Sequence, residues 1–224
     1  HMFQVMRLKE DDEVTLVFDD GIKRLARVVN VESHQLELIE ELADNVELPV
    51  QVTIASGFPK GDKLEFITQK VTELGASQIW AFPADWSVAK WDGKKLGKKV
   101  EKLEKIALGA AEQSKRNLVP SITLFEKKFD FLAQLDQFDR IVVAYEESAK
   151  DGEAAALIQS LTGLEAGSKL LFIFGPEGGL SPAEIDSFTA KGAVLAGLGP
   201  RILRAETAPL YALSAVSVVT ELMN

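Results

Sequence analysis

The stretch Ile173–Pro182, IFGPEGGLSP, places three glycines and two prolines directly behind the apolar run KLLFIF, and LGPRILRAETAP, Leu198–Pro209, follows shortly after. A loop that only reverses the chain needs a single Gly or Pro. Two such loops in succession point to backbone shaped around a ligand. Phosphate is the first candidate and it fails. Neither GxxxxGK[ST] nor GxGxxG is present, and Glu177 puts negative charge where a phosphate cradle needs free amides and cations. In the second loop Arg201, Arg204, Glu206 and Thr207 interrupt an apolar run. That arrangement suits an apolar ligand held on main-chain groups while charge is presented to a second molecule. The alternative is two plain turns, the second a helix start capped by Thr207 with both arginines at the surface.

Other chemistry is narrowed by what the chain contains. It has no cysteine and only two histidines, His1 and His34, so thiolate sites and Cys nucleophiles are excluded and a His-rich metal centre is not expected. With 224 residues, 46% of them apolar, it can bury a sizeable core, and no apolar run is long enough to cross a bilayer. A net charge of −9 argues against a uniformly basic nucleic-acid binder, though local clusters still count. One is KKLGKKVEKLEK, where Lys95, Lys98, Lys102 and Lys105 share a helical face opposite Leu96, Val100 and Leu103. It reads as a solvated face or as a phosphate-contacting stripe. No signal or transit segment is visible, and a cytoplasmic protein is expected; the opening His-Met is either native or left by tag removal.

The elements that would position these residues fall into two grammars. EVTLVF, the turn DDG at Asp19–Gly21, IKRLARVVNV and QLELIEEL form a small all-β unit. Beyond Asn45, buried strands such as QVTIAS, SQIWAF and RIVVAYE alternate with amphipathic helices such as DKLEFITQKVTELG, predicting a parallel, helix-covered sheet. Ser181, Pro182 and Glu184 combine an N-cap serine, a first-turn proline and a capping-box glutamate. GPEGGL therefore joins a strand's carboxyl end to a helix's amino end, where open α/β sheets bind ligands. Lys70 and Glu73 read most simply as an intrahelical ion pair, and Leu210, Leu213, Val216 and Val219 make an apolar stripe on the last helix.

The paired loops, with KGDKLEFITQKVTELG, WSVAKW and AAEQSKRNLVPSI, resemble the RsmE family of 16S ribosomal RNA uridine-N3 methyltransferases, within the knotted SPOUT superfamily. The resemblance runs the length of the chain. It implies a PUA-like, RNA-binding β-barrel over residues 1–47, N-terminally incomplete because the family carries a further strand, and a knotted α/β methyltransferase domain over 48–224. It implies S-adenosylmethionine as cofactor, the 16S rRNA of the small ribosomal subunit as partner, a homodimer, and no metal or membrane. Three strand-end loops would form the knot and hold the cofactor: Ala144, Tyr145 and Glu146; Phe174, Gly175, Pro176, Glu177 and Gly178; and Leu198, Gly199, Ile202 and Leu203. Their glycines would admit close backbone approach to the ligand, with Leu198, Ile202 and Leu203 walling the adenine. Thr207 would contact cofactor or base, and Gln113 and Arg116, three apart, would point toward the site with Lys95, Lys98 and Lys102 on RNA. Arg204 is the candidate for stabilising the anionic base and Glu206 a base or orienting group. Trp86 stands where the family tends to show arginine, so an RNA contact from that position is not carried over. The competing readings are a methyltransferase of the same fold acting on another RNA site and a non-enzymatic ribosome-assembly factor.

Methyl transfer from a sulfonium needs no Lewis acid. Calorimetric titration of S-adenosylmethionine into chelator-treated protein is expected to match the untreated protein; binding lost on chelation and restored by zinc or magnesium overturns this.

Overall fold

A computed structural model describes residue 3, residues 7–145 and residues 154–223. The chain divides into two compact units, one of residues 1–47 with 115–118 and one of residues 48–114 with 119–224.

In the first unit, β1 (Glu13–Val17), β2 (Lys23–Asn30) and β3 (Gln35–Leu42) form an antiparallel sheet in sequence order. The predicted DDG turn joins β1 to β2, with the Asp20 carboxylate accepting from Ile22 N at 2.9 Å. Residues 115–118 are held in this unit by Glu47, whose carboxylate accepts from the Arg116 guanidinium and from the backbone N–H of Asn117 (2.8 Å) and Leu118 (3.1 Å). The Asn117 side chain donates to Gly21 O and Asp44 O and accepts from Val46 N.

The second unit carries six parallel strands: β4 (Gln51–Gly57), β5 (Gln78–Phe82), β6 (Ser121–Leu124), β7 (Arg140–Ala144), β8 (Lys169–Phe174) and β9 (Val194–Ala196). Their order across the sheet is β6-β5-β4-β8-β7-β9, and every pairing is parallel. The chain runs outward from β4 to β6, crosses back to β7, and only then inserts β8 between β4 and β7. This order makes β8, β7 and β9 neighbours, so the loops leaving them emerge side by side at one edge.

Helices cover both faces, as apolar runs with no polar alternation require. Along β8, Leu170, Phe172 and Phe174 point to one cluster and Leu171 and Ile173 to another, the period-two alternation of a pleated strand. The first cluster packs α1 (Lys63–Glu73), α4 (Ala154–Leu161) and α6 (Ala208–Ser217) through Ile67, Val71, Leu157, Leu161, Leu213 and Val216. Helix α2 (Gly93–Gln113), capped by Asp92 accepting from Lys95 N at 2.9 Å, adds Leu96 and Leu103 beside Leu64 of α1. The second cluster packs α3 (Lys128–Leu132) and α5 (Pro182–Ala190), with Phe131 stacked on Phe82 at 4.2 Å between centroids. Helix α3 lies where the sequence pattern marked no element.

The Lys70–Glu73 pair forms as expected, at 2.8 Å. The stripe on the last helix serves the chain's own core: Leu213 and Val216 are fully buried, and Leu210 and Val219 pack partly buried against the same cluster. Leu213→Ala is therefore expected to lower the unfolding free energy by about 2–5 kcal/mol. Urea denaturation measures it; a change below 1 kcal/mol, on the scale typical of a surface substitution, would place Leu213 outside the core.

Candidate active site at the carboxyl edge of the sheet

Of the three loops, those leaving β7 and β9 bound a common cavity, and the GPEGG loop after β8 does not line it. A cavity of about 100 Å³ is bounded by Ala144 and Tyr145 after β7, by Leu198, Gly199, Ile202 and Leu203 after β9, and by Arg201 and Ala208. Glu146 lies outside the described residues. Phe174 is buried in the core beside Phe172, which leaves only its main chain to face a ligand. Ile202 is 78% exposed and Arg201 and Arg204 are exposed at the surface.

The glycines answer to the protein's own packing. A Cβ on Gly175 would stand 2.7 Å from the carbonyl carbon of Gly179, and one on Gly178 3.1 Å from the Trp86 Cβ. The close approach expected of a ligand at these positions is thus already made by protein atoms. A Cβ on Gly57, at the end of β4, would likewise reach Pro176 Cδ at 2.6 Å.

What fixes this loop is a polar network around the predicted capping box. Ser181 Oγ accepts from Glu184 N at 3.2 Å, and Glu184 Oε2 accepts from Ser181 N at 2.9 Å. Glu184 Oε1 takes Asp85 N at 2.9 Å and Lys128 Nζ at 2.8 Å, while Ser181 Oγ donates to Asp85 Oδ2 at 2.5 Å. Lys128 also pairs with Asp85. Hydrogen bonds from Lys128 and Ser181 hold the Asp85 carboxyl below its usual value. Burial would lower the Lys128 ammonium, but Asp85 and Glu184 outweigh it and raise it.

A second charged group joins the two candidate loops. Lys63 Nζ lies 2.9 Å from Glu177 Oε1 and 3.1 Å from Glu206 Oε2, and Lys60 N donates to Glu177 Oε1 at 3.1 Å. The Glu206 contact is an ion pair without hydrogen-bond geometry, since that oxygen has no hydrogen-bond partner among the described residues. Burial would raise both glutamates. For Glu177, Lys63 and main-chain donors prevail; for Glu206, its own N–H, Lys63 and the charge of Arg204 prevail, so both lie below the ordinary value. The two glutamates raise Lys63.

Several expected roles change. Arg116 does not share a helical face with Gln113: α2 ends at Gln113, and positive φ at Lys115 breaks the helical phase. Its side chain is 2% exposed and paired with Glu47, while Gln113 stays exposed on the last turn. Thr207 occupies the cap position of α6 with helical φ and ψ, so its hydroxyl makes no cap bond; Thr207 N and Ala208 N donate instead to Arg204 O. On α2, Lys95 and Lys98 are exposed, and Lys102 is exposed but paired with Glu65 at 2.6 Å. Sequence reasoning missed Lys63, Asp85 and Lys128. Lys63 had a signal, since a lysine at the first position of a helix opposes the helix dipole.

Residues 46–217 match the model of an RNA methyltransferase domain, and residues 1–41 that of an RNA methyltransferase PUA domain. The chain is 49% identical over 226 residues to the ribosomal RNA small subunit methyltransferase E of Bacillus subtilis, covering 100% of this chain and 88% of that one.

The chain belongs to this RNA methyltransferase family.

Among solved structures, a hypothetical protein is 46% identical with a TM-score of 0.92, covering 100% of this chain and 89% of that one. A ribosomal RNA small subunit methyltransferase E from Neisseria gonorrhoeae, bound to S-adenosyl methionine, is 27% identical with a TM-score of 0.79, covering 97% and 87%. The matched methyltransferase region contains the cavity, the capping-box network and the Lys63 group; the matched PUA region contains the three-stranded sheet.

A carboxylate depressed by folding adds stability that is complete above its unfolded value and is lost as pH falls through the lower folded value. For Glu177 the unfolded value is near 4.5. The melting temperature of Glu177→Gln is expected below that of the parent near neutrality, the gap closing as pH falls below 4.5. A gap independent of pH would show that the carboxylate's charge contributes nothing.

Proposed function

We propose that this chain transfers a methyl group from S-adenosylmethionine to N3 of a uridine in 16S rRNA of the small ribosomal subunit. The observation that carries the reading is Arg204, exposed and without an ion-pair partner among the described residues, which directly follows Leu203 in the wall of an apolar cavity between the β7 and β9 loops and stands two residues before Glu206. The names of its relatives, one of them bound to S-adenosyl methionine, supply the cofactor and RNA class.

The residues present suit the adenine end of that cofactor: Leu198, Ile202 and Leu203 offer apolar walls, and main-chain groups around Gly199 offer hydrogen bonds. The cavity is below the roughly 300 Å³ usual for a whole ligand of this size, so the remainder belongs along the open rim. When bound, the sulfonium supplies an electrophilic methyl carbon. The bond from N3 to that carbon forms as the carbon–sulfur bond breaks, and the N3 proton leaves to water, giving N3-methyluridine, S-adenosylhomocysteine and a proton.

Uridine N3 holds its proton at neutral pH, so the enzyme must stabilise the anionic base while N3 is aligned with the methyl carbon. Arg204, beside Glu206, is the cation assigned to that charge in this reading. Glu206, whose carboxyl is held below the ordinary glutamate value by its own N–H, Lys63 and Arg204 against the effect of burial, is assigned the role of accepting a hydrogen bond and orienting.

The reading includes a knot formed by the three loops, an RNA-binding unit ending near residue 47, RNA contacts from exposed Lys95, Lys98 and Gln113, and action in the cytoplasm. It also includes a homodimer, supported by the exposed apolar side chains of Tyr211, Val218, Leu222 and Met223 at the chain's end.

Arg204→Ala is expected to leave S-adenosylmethionine affinity within about twofold and to slow single-turnover methylation of small subunits by about 10²-fold or more. Arg204→Lys, with charge but no planar fork, should recover only part of the rate. Loss of cofactor binding in the alanine variant would assign Arg204 to the cofactor instead.

A further inference from the structure

Lys63 is the first residue of α1, at the positive end of the helix dipole, where an ammonium is disfavoured. Asp62 ahead of it makes no side-chain cap bond that would offset the cost. The helix gains nothing from this lysine, so the reason for it lies outside the helix. Its ammonium meets Glu177 at 2.9 Å and Glu206 at 3.1 Å, on two loops more than a hundred residues downstream. Glu177 has a second donor in Lys60 N. Glu206 Oε2 has no hydrogen bond among the described residues and relies on Lys63 as its ion-pair partner.

Arg204 lies two residues before Glu206, and its positive charge already acts on that carboxylate. Among the described residues the two form no ion pair; the carboxylate is turned to Lys63. Arginine is the stronger partner for a carboxylate when the two can meet, because its fork accommodates both oxygens. An Arg204–Glu206 pair would neutralise the cation that directly follows Leu203 of the cavity wall.

We infer that Lys63 is a positioning residue: by occupying Glu206 it keeps the Arg204 guanidinium unpaired and open to the substrate. The inference rests on the role proposed above for Arg204. It makes the ion pair at the α1 start a device that reserves a neighbouring charge, and it gives Lys63 an effect on the reaction without any contact with the reacting atoms.

The test compares parent, Lys63→Met, Lys63→Arg, Glu206→Gln, Lys63→Met with Glu206→Gln, and Arg204→Ala. Each is checked for fold by circular dichroism, for S-adenosylmethionine affinity by calorimetry and for single-turnover methylation of small subunits. Lys63→Met is expected to slow methylation about tenfold or more with cofactor affinity changed by less than about threefold. Lys63→Arg should restore most of the rate. Adding Glu206→Gln to Lys63→Met should also restore rate, to the level of Glu206→Gln alone, because a neutral amide no longer captures the guanidinium while still accepting a hydrogen bond. A lysine that only braces the fold predicts the opposite, a double variant no faster than Lys63→Met, and that result overturns the inference. So does parental activity in Lys63→Met while Arg204→Ala is slow, which leaves the Arg204 assignment standing. Full activity in Arg204→Ala removes that assignment and the inference together.

Discussion

A glutamate carboxylate that is only 2% exposed must be matched donor for donor, because water cannot make up a missing bond. Glu184 meets that requirement with Ser181 N, Asp85 N and Lys128 Nζ, which come from three separate segments of the chain. Each donor fixes one piece of the carboxyl edge: the start of α5, the segment after β5 and the start of α3. The glycines of GPEGG then have no slack. Gly175 closes on Gly179, and Gly178 on Trp86, whose neighbour Asp85 belongs to the same network. The cap that begins a helix therefore also holds the GPEGG loop, and removing one partner would leave a buried charge uncompensated, a loss on the order of 3–5 kcal/mol.

The charges of the site follow a similar logic at lower burial. Lys63 is placed against the dipole of its own helix and satisfied by carboxylates from two loops. The chain carries a net charge of −9, yet the mouth of its cavity carries an exposed arginine with no ion-pair partner among the described residues. Net charge describes long-range repulsion; the local field at a reacting base depends on which cation is left without a carboxylate.

Strands and helices were legible because the central strands β4 and β8 are short apolar runs buried on both faces and the long helices repeat their apolar positions every three or four residues. The capping box and the Lys70–Glu73 pair were legible because their partners lie three residues apart in one helix. The shared helical face of Gln113 and Arg116 and the capping role of Thr207 failed for a shared reason. Spacing assumes that helical phase continues, and a left-handed Lys115 or an already helical cap position breaks the link between spacing and direction. The partners of Lys63, Asp85 and Lys128 were invisible because they are 43 to 143 residues away, and no local pattern encodes a contact of that range; only the placement of Lys63 against its helix dipole hinted at one. The glycines were noticed for the right property, close approach, but sequence does not say whether protein or ligand comes near.

The strand order has a consequence for biosynthesis. Strand β8 lies between β4 and β7 but is made after both, so the centre of the sheet stays open until Phe174 has left the ribosome. Until then β4 presents a bare edge of the kind that recruits other nascent chains. Contacts between residues separated by more than a hundred positions must form late, which favours slow maturation and a need for chaperone protection during translation. A truncation ending before Lys169 would lack not a peripheral element but the strand on which both halves of the sheet close.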